Sequence, residues 1–247
     1  MFDIDWVRAQ MPGRRLDWYE SIGSTMPAAG ELAAGGALSG TAVAAGEQTA
    51  GQGRHGRAWH SEAESGLYIT VILRLPQKAE HFPALTLAAG LAAREAVALT
   101  TGVECDIRWP NDLLIDGRKV AGILTQAEHG AAIVGIGVNV NHAEFPGELG
   151  EIATSLRIAT GEAQSRERLL VQLLRCLDLR RAALVREGLA PLLGEFARAS
   201  TYVVGRRVRT DGYGEGVTAG LDENGFLLVR REDGTVTRVV AGGVRPL

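Results

Sequence analysis

The sequence predicts an α+β fold in which a mixed, largely antiparallel sheet with packed helices is followed by a small β-barrel. Three observations carry that reading. Asp116-Gly117 and His129-Gly130 separate the β-rich runs 113–115, 119–128 and 131–140, and turns that short join antiparallel strands. Leu169, Leu170, Leu173, Leu174 and Leu177 recur at helical spacing within 166–187, the mark of an amphipathic helix. Beyond Tyr202, the turn signals Asp211-Gly212, Glu223-Asn224-Gly225 and Asp233-Gly234 return about every ten residues, which suits a barrel of short strands. This change of texture places a boundary near Ser200 and divides the chain into residues 1–200 and 201–247.

The elements follow in order. Residues 3–10 form a short helix stopped by Pro12-Gly13. Residues 15–22 alternate loosely around Trp18 and Tyr19 and read as a strand. Ser24-Thr25 precede the Ala-rich run 27–34 as hydroxyl caps precede a helix. A short buried strand, 41–45, leads into a glycine-rich loop, and 66–73 is a strand rich in β-branched residues. The run 83–99 is apolar on most faces, so it belongs in the centre of the molecule. Residues 105–109 form a strand ended by Pro110. After the hairpin strands come the amphipathic helix 166–187 and a shorter helix, 189–199.

Composition narrows the function. Of the 247 residues, 46% are hydrophobic and 22% charged, which is an ordinary soluble profile. A net charge of −3 argues against general nucleic-acid binding, which needs a basic surface. No apolar run reaches membrane-span length, and Asp3, Asp5 and Arg8 interrupt any leader-like start, so the expected compartment is the cytoplasm. Cys105 and Cys176 form no CxxC pair and are expected to be reduced and buried. His55, His60, His81, His129 and His142 show no HExxH spacing, so no metal site is assigned to them, and Ser61, Glu62 and Glu64 read as a solvated turn.

Three stretches carry chemistry. In Gly51-Gln52-Gly53-Arg54-His55-Gly56-Arg57, three glycines and two arginines fall within seven residues, with Trp59 at the edge. Glycine permits close backbone approach and arginine offers a planar fork of donors, so the loop reads as an anion clamp. It is not a P-loop, because GxxxxGK[ST] is absent. In the second stretch Pro110 sets Asn111 and Asp112 on a bend, and the turn beyond them lets Asp112 and Lys119 approach each other across a hairpin. In the third, Gly135, Gly137 and Asn139 share one face of a strand, bare enough for a ligand or another backbone to come close. Asn139 has the donors and acceptor to read an adenine edge.

Taken in order, Ser24-Thr25, Gln48, GQGRHGRAW, WPNDL, GRKVAGIL and GIGVNVN resemble the biotin protein ligases over nearly the whole chain. The resemblance implies a biotin/lipoate ligase-like catalytic domain with a C-terminal SH3-like barrel. It implies activation of biotin by ATP to biotinyl-5′-adenylate, then transfer to a lysine of a biotin carboxyl carrier protein of acetyl-CoA carboxylase, with Mg²⁺ as cofactor. Ser24, Thr25, Met26 and Gln48 would line the biotin pocket, and Gln52, Gly53, Arg54 and Gly56 would close over biotin. Arg54, Arg57, Trp59, Asn111, Asp112 and Asn139 would hold the nucleotide, with Asp112 a candidate Mg²⁺ contact. Lys119 would bridge the biotin carboxylate and the α-phosphate, so Lys119 and Arg54 are the candidate catalytic residues.

Two departures stand out: Met26 replaces the family's usual Asn, and Gln52 replaces an Arg of the loop. With the motifs starting near residue 20, the expectation is a ligase without a DNA-binding repressor segment, acting as a monomer or homodimer. The alternatives are a lipoate or octanoate ligase of the same fold, or a non-enzymatic nucleic-acid-binding protein using the loop and the basic run Arg206-Arg207-Val208-Arg209.

Overall fold

The computed structural model describes residues 2–74 and 82–247. His81 therefore lies outside the described residues. Helix α1 (Ile4–Gln10) is capped by Asp3, whose side chain accepts from the Trp6 backbone N–H. The main sheet contains β1 (Leu16–Tyr19), β2 (Ala42–Ala45), β3 (Gly66–Leu73), β4 (Asp106–Arg108), β5 (Asp112–Ile115), β6 (Arg118–Glu128) and β7 (Ala131–Asn139). These seven strands run in the order β1-β2-β3-β7-β6-β5-β4. Only β1 and β2 pair in parallel, and every other neighbouring pair is antiparallel. The sheet is mixed and largely antiparallel, as the turn chemistry predicts.

The period-2 alternation of strands sorts the two faces. Leu67, Ile69, Val71 and Leu73 of β3, with Val134, Ile136 and Val138 of β7, join the large core beneath α3 (Phe82–Thr101) and α6 (Arg166–Glu187). Ile72 and Ile133 face the other way and pack with Met26, Ala29 and Ala33 of α2 (Thr25–Ala34). Gly135, Gly137 and Asn139 continue along this second face of β7. One face of the sheet is thus filled by two long helices. The other, covered only in part by α2, has small residues where a floor is needed.

The short helices α4 (Leu149–Ile152) and α5 (Leu156–Thr160) were not anticipated. Segments of one turn leave no periodic signature. Helix α5 still carries its cap, because Ser155 Oγ accepts from the Ile158 N–H. Helix α7 (Leu189–Ala199) leads to the second sheet. It consists of β8 (Val204–Thr210), β9 (Gly214–Leu221), β10 (Leu227–Arg230), β11 (Val236–Val239) and β12 (Val244–Pro246). Its order is β11-β10-β9-β8-β12, antiparallel throughout, consistent with an SH3-like barrel. Its inward residues Val208, Leu227, Val229, Val239 and Val244 belong to the same apolar core as α3 and α6.

Hydrogen bonds fasten this second sheet and its lead-in to the first, among them those of Thr201 N–H and Oγ1 to the Asp106 carboxylate at 2.9 and 2.6 Å. Ser200 Oγ donates to Ile107 O. Trp109 Nε1 donates to Gly225 O at 3.0 Å, and Arg54 Nη1 donates to Gly242 O at 3.1 Å. Both cysteines are free and buried, and burial pushes the Cys105 thiol up to about 12 and the Cys176 thiol up to about 11. Among the described residues, no helix is long and apolar enough to cross a membrane.

Candidate active site

The glycine-arginine stretch folds as a small lid. Gly53 N–H donates to Arg57 O at 2.7 Å, and Trp59 N–H donates to Gly51 O at 2.9 Å, so the loop closes on itself. Its turn carries two residues in the left-handed region, His55 at φ 57° and Gly56 at φ 71°. Glycine is at home there, and histidine is among the few other residues that visit this region.

Beneath the lid lie two chambers. The inner one is lined by Ser24, Thr25, Met26, Gln48, Gln52 and Gly53, with Ile69, Ile123, Leu124 and Ile136 supplying apolar wall. Its polar end is wired together. Gln48 Oε1 accepts from the Thr25 N–H at 2.8 Å and from Thr25 Oγ1 at 3.0 Å. Thr25 Oγ1 also meets Thr70 Oγ1 at 2.8 Å, and the Gln48 N–H donates to Ser61 Oγ at 2.7 Å. The outer chamber has a volume of about 610 Å³ and takes Arg57, Arg108, Asp112 and Asn139 from the main unit, with Asp211 and Arg245 from the second sheet. That volume falls within the range of small-molecule sites, roughly 300–1,000 Å³. Arg54, Trp59, Asn111 and Lys119 border both chambers. Gly56 lines neither and sits exposed at the lid tip.

The WPND bend holds the junction. Asn111 is buried; its Oδ1 accepts from Arg54 Nη1 at 2.9 Å and its Nδ2 donates to Ile123 O at 2.9 Å. Asp112 receives Arg108 through Nη2 at 2.7 Å and Lys119 Nζ at 2.6 Å on its other oxygen. Burial alone would raise the Asp112 carboxyl, but the Lys119 and Arg108 cations overcome it and hold its pKa below the usual value. The proximity of Asp112 and Lys119 expected from the hairpin is therefore real. Burial lowers the pKa of Arg54, against the pull of Asp112 and Asp211. The group remains cationic, because guanidinium starts so high. Asn139 spends its amide N–H groups on Thr154 O at 3.0 Å and Lys119 O at 3.4 Å.

The bare strand face is occupied from within the chain. A Cβ placed on Gly135 would come within 2.6 Å of Met26 Sδ, and one on Gly137 within 2.5 Å of Trp59 Cε2. The indole also lies against Gly122, with Lys119 Nζ 5.2 Å from its ring centroid. Trp59 Nε1 is buried and has no hydrogen-bond partner among the described residues. Gly137→Val should expel the indole. Overpacking of this kind costs roughly 1–3 kcal/mol, so the fold should survive with altered tryptophan emission. The emission change should vanish when the substitution is made in a Trp59→Phe background.

These elements define a ligase built on the biotin and lipoate enzymes' fold. The model of the biotin/lipoate A/B protein ligase family matches residues 19–142, which hold every residue of the inner chamber, and the chain belongs to that family. Within that family it is similar to the biotin protein ligases. Over 242 residues it is 38% identical to the bifunctional ligase/repressor BirA of Bacillus subtilis, covering 92% of this chain and 73% of that one. To the biotin–[acetyl-CoA-carboxylase] ligase of Mycobacterium tuberculosis it is 35% identical over 239 residues, covering 93% and 88%. The biotin protein ligase of Aquifex aeolicus, solved with biotin and ATP, superposes with a TM-score of 0.85 at 31% identity, covering 94% of this chain and 99% of that one.

Proposed function

We propose that this biotin protein ligase seats biotin in the inner chamber and ATP in the outer one, and makes biotinyl-5′-adenylate where they meet. The biotin carboxylate attacks the α-phosphorus. An acyl-phosphate bond forms, the bond to the β-phosphate breaks, and pyrophosphate leaves. In the second step the ε-amino group of a lysine on a biotin carboxyl carrier protein of acetyl-CoA carboxylase attacks the acyl carbon. An amide forms, the amine gives up its proton, and AMP leaves.

One observation carries this reading. Lys119 and Arg54 stand where the two chambers join, the place at which two anions must be brought together. Fixed cations offset that repulsion most where water is excluded, and the lid also shields the mixed anhydride from hydrolysis. Ser24, Thr25 and Gln48 present hydroxyl and amide groups suited to a ureido ring. Met26, lying over Gly135, supplies an apolar contact where the relatives have an amide. Gln52, Gly53 and Gly56 belong to the moving lid, and Arg57, Trp59, Asn111 and Asn139 to the nucleotide's surroundings.

The outer chamber offers the carboxylates of Asp112, Glu151 and Asp211, oxygen donors of the type Mg²⁺ takes. Asp112 is the first candidate to hold it, and the ion would share a carboxylate that Lys119 and Arg108 already hold at 2.6 and 2.7 Å. Bound with the triphosphate, the ion would offset phosphate charge. Residues 201–247 act in this reading as a barrel that closes the nucleotide end, and the enzyme works in the cytoplasm.

The test is isotope exchange between ATP and pyrophosphate with biotin or lipoate supplied singly, followed by transfer to a carrier domain. Biotin-dependent exchange is expected. Exchange driven by lipoate and not by biotin would overturn the assignment in favour of a lipoate ligase.

A further inference from the structure

Beside the lid, at the edge of the outer chamber that His60 helps to line, lies a group of side chains to which the ligase chemistry above gives no role. His60, Glu62 and His142 each turn one potential ligand atom toward the others, all within 4.8 Å. His142 is fully buried, and neither of its ring nitrogens has a hydrogen-bond partner among the described residues. Its Nε2 lies 4.0 Å from Glu62 Oε2, too far for a hydrogen bond. Phe145 stacks on the ring at 5.0 Å, and His60 approaches it at 5.8 Å. A buried imidazole with both nitrogens idle is uncommon and calls for an explanation such as an unseen ion.

We propose that His60, Glu62 and His142 bind a divalent transition metal, zinc in the first instance. Two imidazole nitrogens and one carboxylate oxygen form a borderline donor set that suits Zn²⁺ and disfavours Mg²⁺. The site is distinct from the proposed nucleotide ion, which needs oxygen donors. Tetrahedral coordination brings ligand atoms to roughly 3.3 Å of one another, so the group must tighten. The backbone is held on both sides while two of the three side chains are free to do so. Tyr68 Oη donates to Glu62 O at 3.1 Å, and Ser155 Oγ donates to His142 O at 2.7 Å. Glu62 is exposed and His60 half-buried. Burial also lowers the His142 pKa to about 4, so its ring meets a cation as the free base.

The consequence is a staple. His60 follows Trp59 directly, and Ser61, between the two ligands, holds the Gln48 N–H. His142 lies just beyond β7. A metal shared by them ties the exit of the lid to the strand that forms the chamber floor. A histidine-spacing rule cannot find such a site, because its ligands come from two segments about 80 residues apart in a fold that brings them together.

The experiment is titration of the chelator-treated full chain with Co²⁺, followed by visible absorption, and with Zn²⁺ against a chromophoric chelator. One equivalent of tetrahedral-type Co²⁺ bands is expected, and Zn²⁺ should displace them where excess Mg²⁺ does not. His60→Ala and Glu62→Gln, at accessible positions, and His142→Gln should each weaken Zn²⁺ binding at least ~10-fold, with unfolding temperatures measured in chelator to show that the variants are folded. Unchanged affinity in folded His60→Ala and Glu62→Gln would overturn the site. So would a loss of binding produced instead by Cys105→Ser or Cys176→Ser.

Discussion

Lys119→Ala should slow biotin-dependent ATP–pyrophosphate exchange by ~100-fold or more, the usual scale for removing one preorganised electrostatic contact to a developing charge. The effect is specific to chemistry because the fold does not rest on this side chain. Asp112 keeps Arg108, which holds it through Nε at 3.2 Å and Nη2 at 2.7 Å, so the carboxylate is not left as an unpaired buried charge. The unfolding temperature should fall by only a few degrees, the shift expected of about 1 kcal/mol in a protein of this size. Lys119→Arg should not rescue the rate. A planar guanidinium is bulkier and stiffer than an ammonium, and the site is crowded by the Trp59 ring 5.2 Å away. Exchange at the parental rate in Lys119→Ala would remove the residue from the mechanism. A large loss of stability would instead mean that the lysine's main task is to neutralise Asp112.

The junction at which Lys119 sits is only partly legible in the sequence. Hairpin chemistry is local, so Asp116-Gly117 was enough to bring Asp112 and Lys119 together, and the ion pair at 2.6 Å bears that out. The α6 periodicity and the turn spacing beyond Tyr202 were equally direct, because each is repeated along a continuous stretch. Other features depend on residues remote in sequence. Parallel pairing of β1 with β2 leaves no turn signature. The glycine face of β7 was readable as a bare surface. That Met26 and the lid's own Trp59 lie over it could not be inferred, since a lid's resting place is set by tertiary packing. The cluster of His60, Glu62 and His142 leaves no signature in the sequence for the same reason.

The change of texture near Ser200 precedes the second sheet, which begins at Val204, but composition does not disclose how tightly that sheet is fastened. Arg54 Nη1 is shared between Asn111 Oδ1 at 2.9 Å and Gly242 O at 3.1 Å, the latter contact spanning 188 residues. The lid is therefore tied at once to the WPND bend and to the loop between β11 and β12. Asp211, whose carboxylate accepts from the Gly243 N–H at 3.0 Å, keeps that loop in place. Arg54 reads accordingly as a latch as well as a phosphate contact.

Arg54→Gly should shorten the residence of the adenylate on the enzyme by at least ~10-fold, since each hydrogen bond from a charged donor contributes roughly 1.5–3 kcal/mol and 1.4 kcal/mol is a factor of ten. The loss should show as faster release of preformed biotinyl-5′-adenylate in a filtration assay, and as biotin appearing on lysines of a bystander protein. Adenylate formation should suffer less than in Lys119→Ala, because Lys119 keeps its place against Asp112. Arg57→Gly is the internal comparison. Arg57 lines the outer chamber but is exposed and, among the described residues, makes no hydrogen bond to either sheet, so its loss should weaken phosphate binding without freeing the lid. The contrast separates latch from charge: Arg54→Gly should raise the release rate and Arg57→Gly the KM for ATP. Equal release rates from the two variants would show that the lid is held by general electrostatic attraction, and that the bond to Gly242 does not govern how long the intermediate stays enclosed.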